Sequence, residues 1–398
     1  MKIVKVLSSK IETFEGKAKL IYDIEVECDG EIKRDELYYE VDEDYKDYLC
    51  YETADCVFTQ LLSFVLRGGY DFQSNVPLSD SLVQRITTQF IPMLTLDIPN
   101  FRKPKFIAER KEFDWHPTEV VLGMSLGVDS FYSLYENNES DVPDNYKISM
   151  LSFFENGAHH MGGNGTMKER EAVFLGQLDK YIKFCDTYSY KKLIVRSNIT
   201  TFLIDNFWYD QFYITSTYRN LGTVLALQKL IKTYYYSSGF ASQGDISLNA
   251  PPANYDRIIT SMFSTNCTKF YISGGNKKRL EKIESIQNFE PSYNFLNVCS
   301  ASGEMNCGEC IKCKKTLVEL EVAGCLEKYK NCFNLDKYEH DKDAILKWLY
   351  QNRNKSEGYI NLFKYMKEHN IKLKKSIIAK SKLHQDKLKI KKLLSKMR

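Results

Sequence analysis

The spacing of apolar residues changes near residue 115. After that point, short apolar runs alternate with longer amphipathic stretches. The runs that predict buried strands lie at residues 120–124, 148–154, 193–196, 234–238 and 270–273. The stretches between them that predict helices lie at residues 130–135, 168–186 and 218–232. Such alternation is typical of parallel sheets, so this part predicts an α/β fold with a doubly wound parallel sheet.

The first 115 residues have a different pattern. An alternating stretch at 17–27 predicts a strand, Asp29-Gly30 a hairpin turn, and 37–41 a return strand. Apolar stretches at 53–66 and 78–94 predict two helices.

These patterns predict three regions. An N-terminal α+β domain is expected at 1–115, an α/β domain at 116–325, and a helical, basic C-terminal region at 326–398.

Four of the eleven cysteines fall within fifteen residues: Cys299, Cys307, Cys310 and Cys313. Tetrahedral zinc favours four thiolates, and a CxxC turn points two of them at one ion. Gly308 lies between two of these cysteines and allows a tight turn. Unrelated free thiols or a disulfide pair are the alternatives. The cluster predicts a closed, structural zinc knuckle over 299–313.

Charge is unevenly distributed along the chain. The net charge is +3, but residues 371–398 contain eleven Lys or Arg and one acid, so this segment carries +10 and the remainder −7. Its apolar residues recur at near-helical spacing, which predicts a basic amphipathic helix or a pair of helices. Such a helix either packs on the body with a solvated lysine face or contacts a polyanion or a partner.

The chain shows no apolar run of the roughly 20 residues that span a bilayer, and its first residues do not resemble a signal peptide. We therefore expect a cytoplasmic protein without membrane contact, whose thiols stay reduced and available for metal. Nucleic acid is not an expected partner.

A motif follows the first predicted strand of the α/β region: Ser125-Leu126-Gly127-Val128-Asp129-Ser130. A strand, a glycine-containing loop and a helix start place backbone N–H groups around an anion. Ser125 and Ser130 can donate to phosphate oxygens, and Asp129 can hold magnesium or cap the helix. The motif lacks the lysine of a Walker A loop. The alternative is a simple capped turn.

This motif resembles the PP-loop of ATP pyrophosphatases, usually Ser-Gly-Gly-x-Asp-Ser. The chain is most similar to the 7-cyano-7-deazaguanine synthase family, which also has a distant cysteine followed by CGxCxxC, and an Arg-Asn pair that opens a central helix. Here these are Cys299 with Cys307 to Cys313, and Arg219-Asn220. The resemblance covers residues 119–325. Leu126 replaces the first glycine of the loop, and we expect leucine to resist positive φ and to tighten the loop.

The resemblance implies a Rossmann-like PP-loop fold and an ATP-dependent ligase that forms C–N bonds. It implies ATP binding by residues 125–130, catalysis by Asp129, Ser130 and Arg219, and substrate binding by Arg219, Asn220 and Asp245. ATP, Mg²⁺ and Zn²⁺ are the implied cofactors, and 7-carboxy-7-deazaguanine is the implied substrate.

Each of these site residues has a plainer interpretation. Arg219 could be a surface arginine, and Asn220 only a helix cap. His159 and His160 follow the second predicted strand and are interpreted as ordinary loop residues.

The N-terminal region resembles that of long family members found in antiviral defence operons, including type IV CBASS and Qat systems. These are thought to attach a deazaguanine to a protein amine, so a protein from the same operon is an expected partner. Free nitrile synthesis with ammonia and a non-catalytic nucleotide-binding scaffold are the alternatives. Sulfur transfer to tRNA is disfavoured because Cys185 and Cys267 are isolated.

Overall fold

The computed structural model describes residues 2–98, 101–139, 141–157, 166–207, 212–239, 246, 248, 250–299, 306–379 and 381. The chain divides into two units. The first comprises Met1–Ser125 and Ser133–Asn276, and the second comprises Leu126–Tyr132 and Lys277–Arg398.

Twelve strands lie in the described residues. They are β1 (Lys2–Phe14), β2 (Lys17–Cys28), β3 (Glu31–Asp42), β4 (Asp71–Ser74), β5 (Leu78–Ser79), β6 (Phe106–Ile107), β7 (Arg110–Lys111), β8 (Glu119–Gly123), β9 (Met150–Glu155), β10 (Lys191–Ser197), β11 (Ile231–Ser237) and β12 (Lys269–Ser273). Ten of these described strands form one mostly parallel sheet in the order β12-β11-β8-β9-β10-β3-β2-β1-β4-β6, and β5 pairs with β7.

The described α-helices are α1 (Asp55–Gly68), α2 (Asp80–Arg85), α3 (Ile91–Asp97), α4 (Val128–Glu136), α5 (Met167–Tyr188), α6 (Ile199–Phe207), α7 (Phe212–Leu225), α8 (Asp256–Ile259), α9 (Arg279–Ile286), α10 (Ile311–Val322), α11 (Leu335–Gln351) and α12 (Glu357–Glu368). A π-helical turn at Ile86–Phe90 joins α2 to α3. The protein is therefore an α/β protein, as the alternating pattern predicted.

The five strands predicted after residue 115 are all present, and neighbouring members pair in parallel. Among the helices predicted after residue 115, the one expected over 218–232 has both boundaries wrong. It begins at Phe212 and ends at Leu225, and β11 already begins at Ile231. The apolar run continues through the turn between them, so the apolar pattern alone conceals where the helix stops.

The N-terminal strands belong to the same sheet. β1 was not predicted, although it pairs with β2 along nearly its whole length. β3 pairs with β10 through Tyr39 opposite Ser197 and Glu40 opposite Arg196. Residues of both regions also share one hydrophobic core. Residue 115, where a domain boundary was expected, therefore lies inside the first unit of the structure.

Helix α1 packs closely against α7 within the first unit. A Cβ atom on Gly222 of α7 would lie 2.3 Å from Cγ of Gln60 and 2.7 Å from the carbonyl oxygen of Cys56, both on α1. The Gln60 amide donates to the carbonyl oxygen of Arg219 at 3.0 Å. Glycine at position 222 thus permits the approach, and Gln60 ties α1 to the middle of α7.

The second unit contains α9 to α12, the cysteine cluster and the first turn of α4. The described part of the C-terminal region is helical, as its pattern predicted. Side chains such as Ile283, Leu317, Tyr338 and Leu349 form its buried interior. No helix in the described ranges is both long and apolar enough to cross a bilayer.

Candidate functional site

Strand β8 lies at the topological switch point of the parallel strands, where the strand order reverses. The chain adds β9 and β10 on one side of β8 and then places β11 and β12 on the other side. In open parallel sheets, ligands bind outside the carboxyl ends of the strands at such a reversal. The motif that begins at Ser125 follows this end of β8 after a single residue, Met124.

Leu126 adopts the left-handed conformation that ordinarily favours glycine, with φ = 58°. The expectation that leucine would resist positive φ is therefore wrong. The strain costs roughly 1–2 kcal/mol, and burial of a leucine side chain contributes about 2 kcal/mol. The side chain is 2% exposed, and the backbone N–H of Asn297 donates to the Leu126 carbonyl at 2.8 Å. These contacts hold the loop in place.

The loop leads into α4 over the next residues. The N–H of Phe131 donates to the Gly127 carbonyl at 3.0 Å and opens the helical hydrogen-bonding pattern. The buried Ser130 hydroxyl donates to the same carbonyl at 3.1 Å. The first N–H groups of an α-helix have no carbonyl partner within the helix and favour anions. The start of α4 thus has the backbone geometry of an anion site.

Asp129 forms ion pairs with two cations of α9. Lys282 Nζ lies 2.7 Å from Asp129 Oδ1, and Arg279 Nη1 lies 3.6 Å from Oδ2. The Lys282 side chain is only 1% exposed, so its charge needs this carboxylate. The observed contacts therefore assign Asp129 to holding two cations. Its predicted role as a magnesium ligand stays a prediction.

The ion pairs extend from Arg279 to a second carboxylate, that of the buried Glu319. Arg279 Nε donates to Glu319 at 2.9 Å, and Lys315 lies 3.4 Å from the same carboxylate. Burial opposes the charge of Arg279, but the carboxylates of Glu319 and Asp129 outweigh it and raise the pKa of the guanidinium. We call Asp129, Arg279, Lys282, Lys315 and Glu319 the Asp129 cluster; its five members carry one net positive charge.

Sequence analysis missed Arg279, Lys282, Lys315 and Glu319. They lie in helices rich in lysine and glutamate, where the spacing resembles that of solvated faces. Only the fold brings them to the loop motif, so no local signal distinguishes them from surface residues.

The four predicted zinc ligands do come together. Their sulfur atoms all lie within 4.8 Å of one another. Cys299 and Cys310 have sulfurs 4.0 Å apart, and Cys307 and Cys313 have sulfurs 3.8 Å apart. Four thiolates at the usual Zn–S distance would be separated by roughly 3.8 Å. The geometry and the donor set fit a tetrahedral zinc ion.

Backbone N–H groups orient these sulfurs. The N–H groups of Cys310 and Cys313 donate to the sulfurs of Cys307 and Cys310 at 3.3 and 3.4 Å. Gly308 takes φ = 71°, which permits the tight turn that glycine suggested. Such hydrogen bonds stabilise thiolates and fix the direction of each ligand.

The Asn306 side chain, next to Cys307, holds the backbone around Cys299 in place. Its side-chain oxygen accepts from the N–H groups of Val298 and Cys299 at 2.8 and 3.0 Å. Its side-chain nitrogen donates to the carbonyls of Leu296 and Cys332 at 2.8 and 3.0 Å. Asn306 is buried and is a positioning residue that the cysteine spacing did not indicate.

Arg219 is fully buried in the first unit, so its interpretation as a surface arginine is wrong. Its guanidinium donates to the Thr215 hydroxyl at 2.9 Å, and to the Asn156 carbonyl and the Thr200 hydroxyl at 3.1 Å each. A Cβ atom on Gly157 would lie 2.5 Å from Arg219 Nη1, so this approach requires glycine. Arg219 is therefore held firmly at the carboxyl end of β9.

Asn220 lies within α7, which begins at Phe212. The Arg219-Asn220 pair therefore does not open the helix, and Asn220 does not cap its first turn, as had been considered. Its side-chain oxygen accepts from Asn156 Nδ2 at 2.8 Å. The structure thus brings Arg219 and Asn220 together with Asn156, a residue that sequence analysis did not select.

Three residues considered in the sequence lie outside the described residues: Asp245, His159 and His160. Ser125, the first residue of the loop motif, is exposed. It ends the Met1–Ser125 segment of the first unit.

Comparisons with protein-family models, with curated proteins and with solved structures find no match to this chain. The assignment of a function therefore depends on the residues and their geometry.

Proposed function

We propose that this protein is a PP-loop ATP pyrophosphatase that activates a carboxylate as an acyl-adenylate and transfers the acyl group to nitrogen. One observation carries the proposal: the Ser125–Ser130 motif follows β8 at the reversal of the sheet, with Leu126 at φ = 58° and a helix starting at Val128. This is the local geometry that a phosphate-binding loop needs.

The substrate carboxylate attacks the α-phosphorus of ATP, a C–O–P bond forms, and the bond to pyrophosphate breaks. A nitrogen nucleophile then attacks the acyl carbon, AMP leaves, and the nitrogen loses a proton. Both steps need positive charge near the phosphates. The N-terminus of α4, together with Lys282 and Arg279 beside Asp129, supplies it. Magnesium bound to the ATP phosphates would neutralise further charge.

We propose 7-carboxy-7-deazaguanine as the carboxylate, from the resemblance of the loop, the Arg-Asn pair and the cysteine cluster. Arg219 supports this choice because a buried guanidinium at the carboxyl end of a strand suits recognition of an anion. The proposed nucleophile is an amine of a partner protein, in the setting of antiviral defence. Ammonia is the alternative nucleophile; it would give the amide, which a second ATP would activate for loss of water to the free nitrile.

Mass spectrometry identifies the product directly. The protein is incubated with ATP, magnesium and 7-carboxy-7-deazaguanine, with either ammonia or co-expressed operon proteins. We expect AMP and pyrophosphate, together with a partner protein whose mass has increased by the acyl group. Full conversion to free nitrile with ammonia, and no modified protein, would favour the alternative.

Substitution of Ser130 tests the loop. In the proposed reaction the Ser130 hydroxyl turns from the Gly127 carbonyl to a phosphate oxygen, so Ser130→Ala should slow formation of AMP by roughly a hundredfold, as loss of a transition-state donor typically does. Ser285→Ala is a matched control, since its hydroxyl also donates to a carbonyl within its own helix, that of Glu281 at 3.0 Å. Equal rates in the two variants would remove the loop from the mechanism.

A further inference from the structure

Asn156 has a buried acceptor with no protein partner among the described residues. The residue directly follows β9 and is fully buried. Its side-chain nitrogen donates to Asn220 Oδ1 at 2.8 Å, but its side-chain oxygen has no hydrogen-bond partner in the part of the chain that the structure describes. Buried polar atoms are nearly always paired because an unpaired one loses its hydration without compensation. An orphaned acceptor in such a place therefore requires an explanation.

The surrounding hydrogen bonds fix which way the Asn156 amide points. The Thr223 hydroxyl donates to the Arg219 carbonyl at 2.8 Å, so its oxygen serves as an acceptor towards Asn156 Nδ2 at 3.5 Å. Asn220 presents its side-chain oxygen to the same nitrogen at 2.8 Å. The nitrogen of Asn156 thus faces two acceptors, and its oxygen faces away from both.

The position of this oxygen is that of a ligand contact. Asn156 lies at the carboxyl end of a parallel strand, where ligands of such sheets bind. The backbone carbonyl of Asn156 accepts from the Arg219 guanidinium at 3.1 Å, so the residue that carries the orphaned acceptor also contacts a buried cation. A molecule that carries both an anionic group and an N–H donor would complement this pair.

We infer that Asn156 Oδ1 accepts a hydrogen bond from an N–H group of the substrate, and that this contact selects a nitrogen-heterocyclic carboxylate over isosteres without the donor. This inference rests on the proposed function, for which it adds a specificity-determining residue. A site built to bond an N–H rejects the analogue that lacks it, because the buried acceptor then stays unpaired.

Two small carboxylates of nearly the same shape test the inference. Pyrrole-3-carboxylate carries a ring N–H, and furan-3-carboxylate has an oxygen in the ring instead. Their binding to the full chain is measured by ligand-observed NMR without ATP. We expect the wild-type protein to bind the pyrrole about tenfold more tightly or better. Equal binding of the two, or no binding of the pyrrole, would overturn the inference whether or not any variant folds.

Variants then locate the selectivity. Asn156→Leu should reduce the ratio of the two affinities to about one while retaining cooperative unfolding. Asn206→Leu is the control, because Asn206 is also a buried asparagine of the first unit, and its amide donates to Asp35 and to the Phe202 carbonyl. The control should keep the wild-type ratio. An unchanged ratio in a folded Asn156→Leu variant would exclude Asn156 as the selective residue.

The outcome is distinguishable from failure of the proposed function. A protein that selects the pyrrole but forms no AMP from ATP and 7-carboxy-7-deazaguanine contradicts the proposed function alone. A protein that forms AMP and pyrophosphate with that substrate but does not distinguish the fragments contradicts the role of Asn156 alone.

Discussion

At the residue scale, Leu126 shows how a side chain can replace the conformational freedom of glycine. A glycine at this position would adopt φ = 58° without strain, whereas leucine needs its burial and the Asn297 contact to remain there. Leucine is therefore compatible with the left-handed conformation at this position.

The strain at Leu126 predicts an unusual order of stability. Leu126→Ala and Leu126→Gly both lose the buried side chain, but only glycine relieves the left-handed strain. We expect Leu126→Gly to be the more stable variant by about 1 kcal/mol, measured by urea denaturation. If the alanine variant were the more stable one, φ at this position would not be positive in solution.

The residue scale also shows the limit of sequence reasoning. The cysteines and the loop could be predicted because their chemistry is local. The spacing of the ligands and the order of strand, loop and helix can both be read directly from the sequence. The roles of three other residues could not be predicted from the sequence: Lys282, Asn156 and Asn306. Each depends on a partner distant in sequence or on a hydrogen bond that only the fold creates. A lysine in a helix or an asparagine in a loop has many ordinary uses.

At the element scale, the contact between α1 and α7 links the N-terminal region to Arg219 and Asn220. Gly222 allows the two helices to approach, and Gln60 bonds the Arg219 carbonyl. Tyr39 of β3 in turn donates to the Gln60 side-chain oxygen at 2.8 Å. The N-terminal elements therefore support the helix that carries the proposed substrate-binding residues.

The close contact between α1 and α7 predicts that one added methyl group at position 222 destabilises the protein. Gly222→Ala should lower the free energy of unfolding by roughly 2 kcal/mol, because the new Cβ atom would overlap Gln60 and Cys56. Gly239→Ala is the control: no described residue lies within 4 Å of its Cβ position, so its stability should stay within about 0.5 kcal/mol of wild type. Thermal or urea unfolding measures both. Equal stability of the two variants would mean that the helices are less closely packed than described.

The cysteine cluster predicts about one zinc ion per chain, measured by elemental analysis. Cys310→Ser should lose the metal and lower the melting temperature, since ligation contributes folding energy. Cys325→Ser should retain zinc, because this buried cysteine lies outside the cluster.

Asn306→Ala should keep all four ligands but weaken zinc binding by about 10- to 100-fold, as loss of a ligand-orienting contact does. Metal-free wild-type protein with an unchanged melting temperature would contradict the assignment of a structural zinc site.

At the scale of the whole molecule, the sheet changes how the N-terminal region is understood. It was predicted as a separate accessory domain because its pattern of strands and helices differs from the alternation that follows. Strand pairing between β3 and β10, and the shared core, cannot be read from local periodicity. A role in docking a protein partner remains a proposal, and deletion of residues 1–115 would test it poorly because it would expose the edge of β10.

The basic segment at residues 371–398 offers a more direct test of partner docking. Truncation after Ser381 preserves the buried Ile377 and Ser381 and removes seven Lys or Arg and one acid. We expect weaker modification of the partner protein, with the larger loss at low salt, where exposed charges are least screened. Formation of AMP without the partner should not change. Unaltered modification at low salt would exclude this segment from docking.

The most direct test of the account is isotope exchange between pyrophosphate and ATP. An enzyme that forms an acyl-adenylate reversibly incorporates labelled pyrophosphate into ATP only when the carboxylate is present. We predict exchange with 7-carboxy-7-deazaguanine and magnesium, little exchange without the carboxylate, and a loss of roughly a hundredfold in Ser130→Ala. Turnover of ATP to ADP and phosphate, with no label entering ATP, would contradict the proposed function.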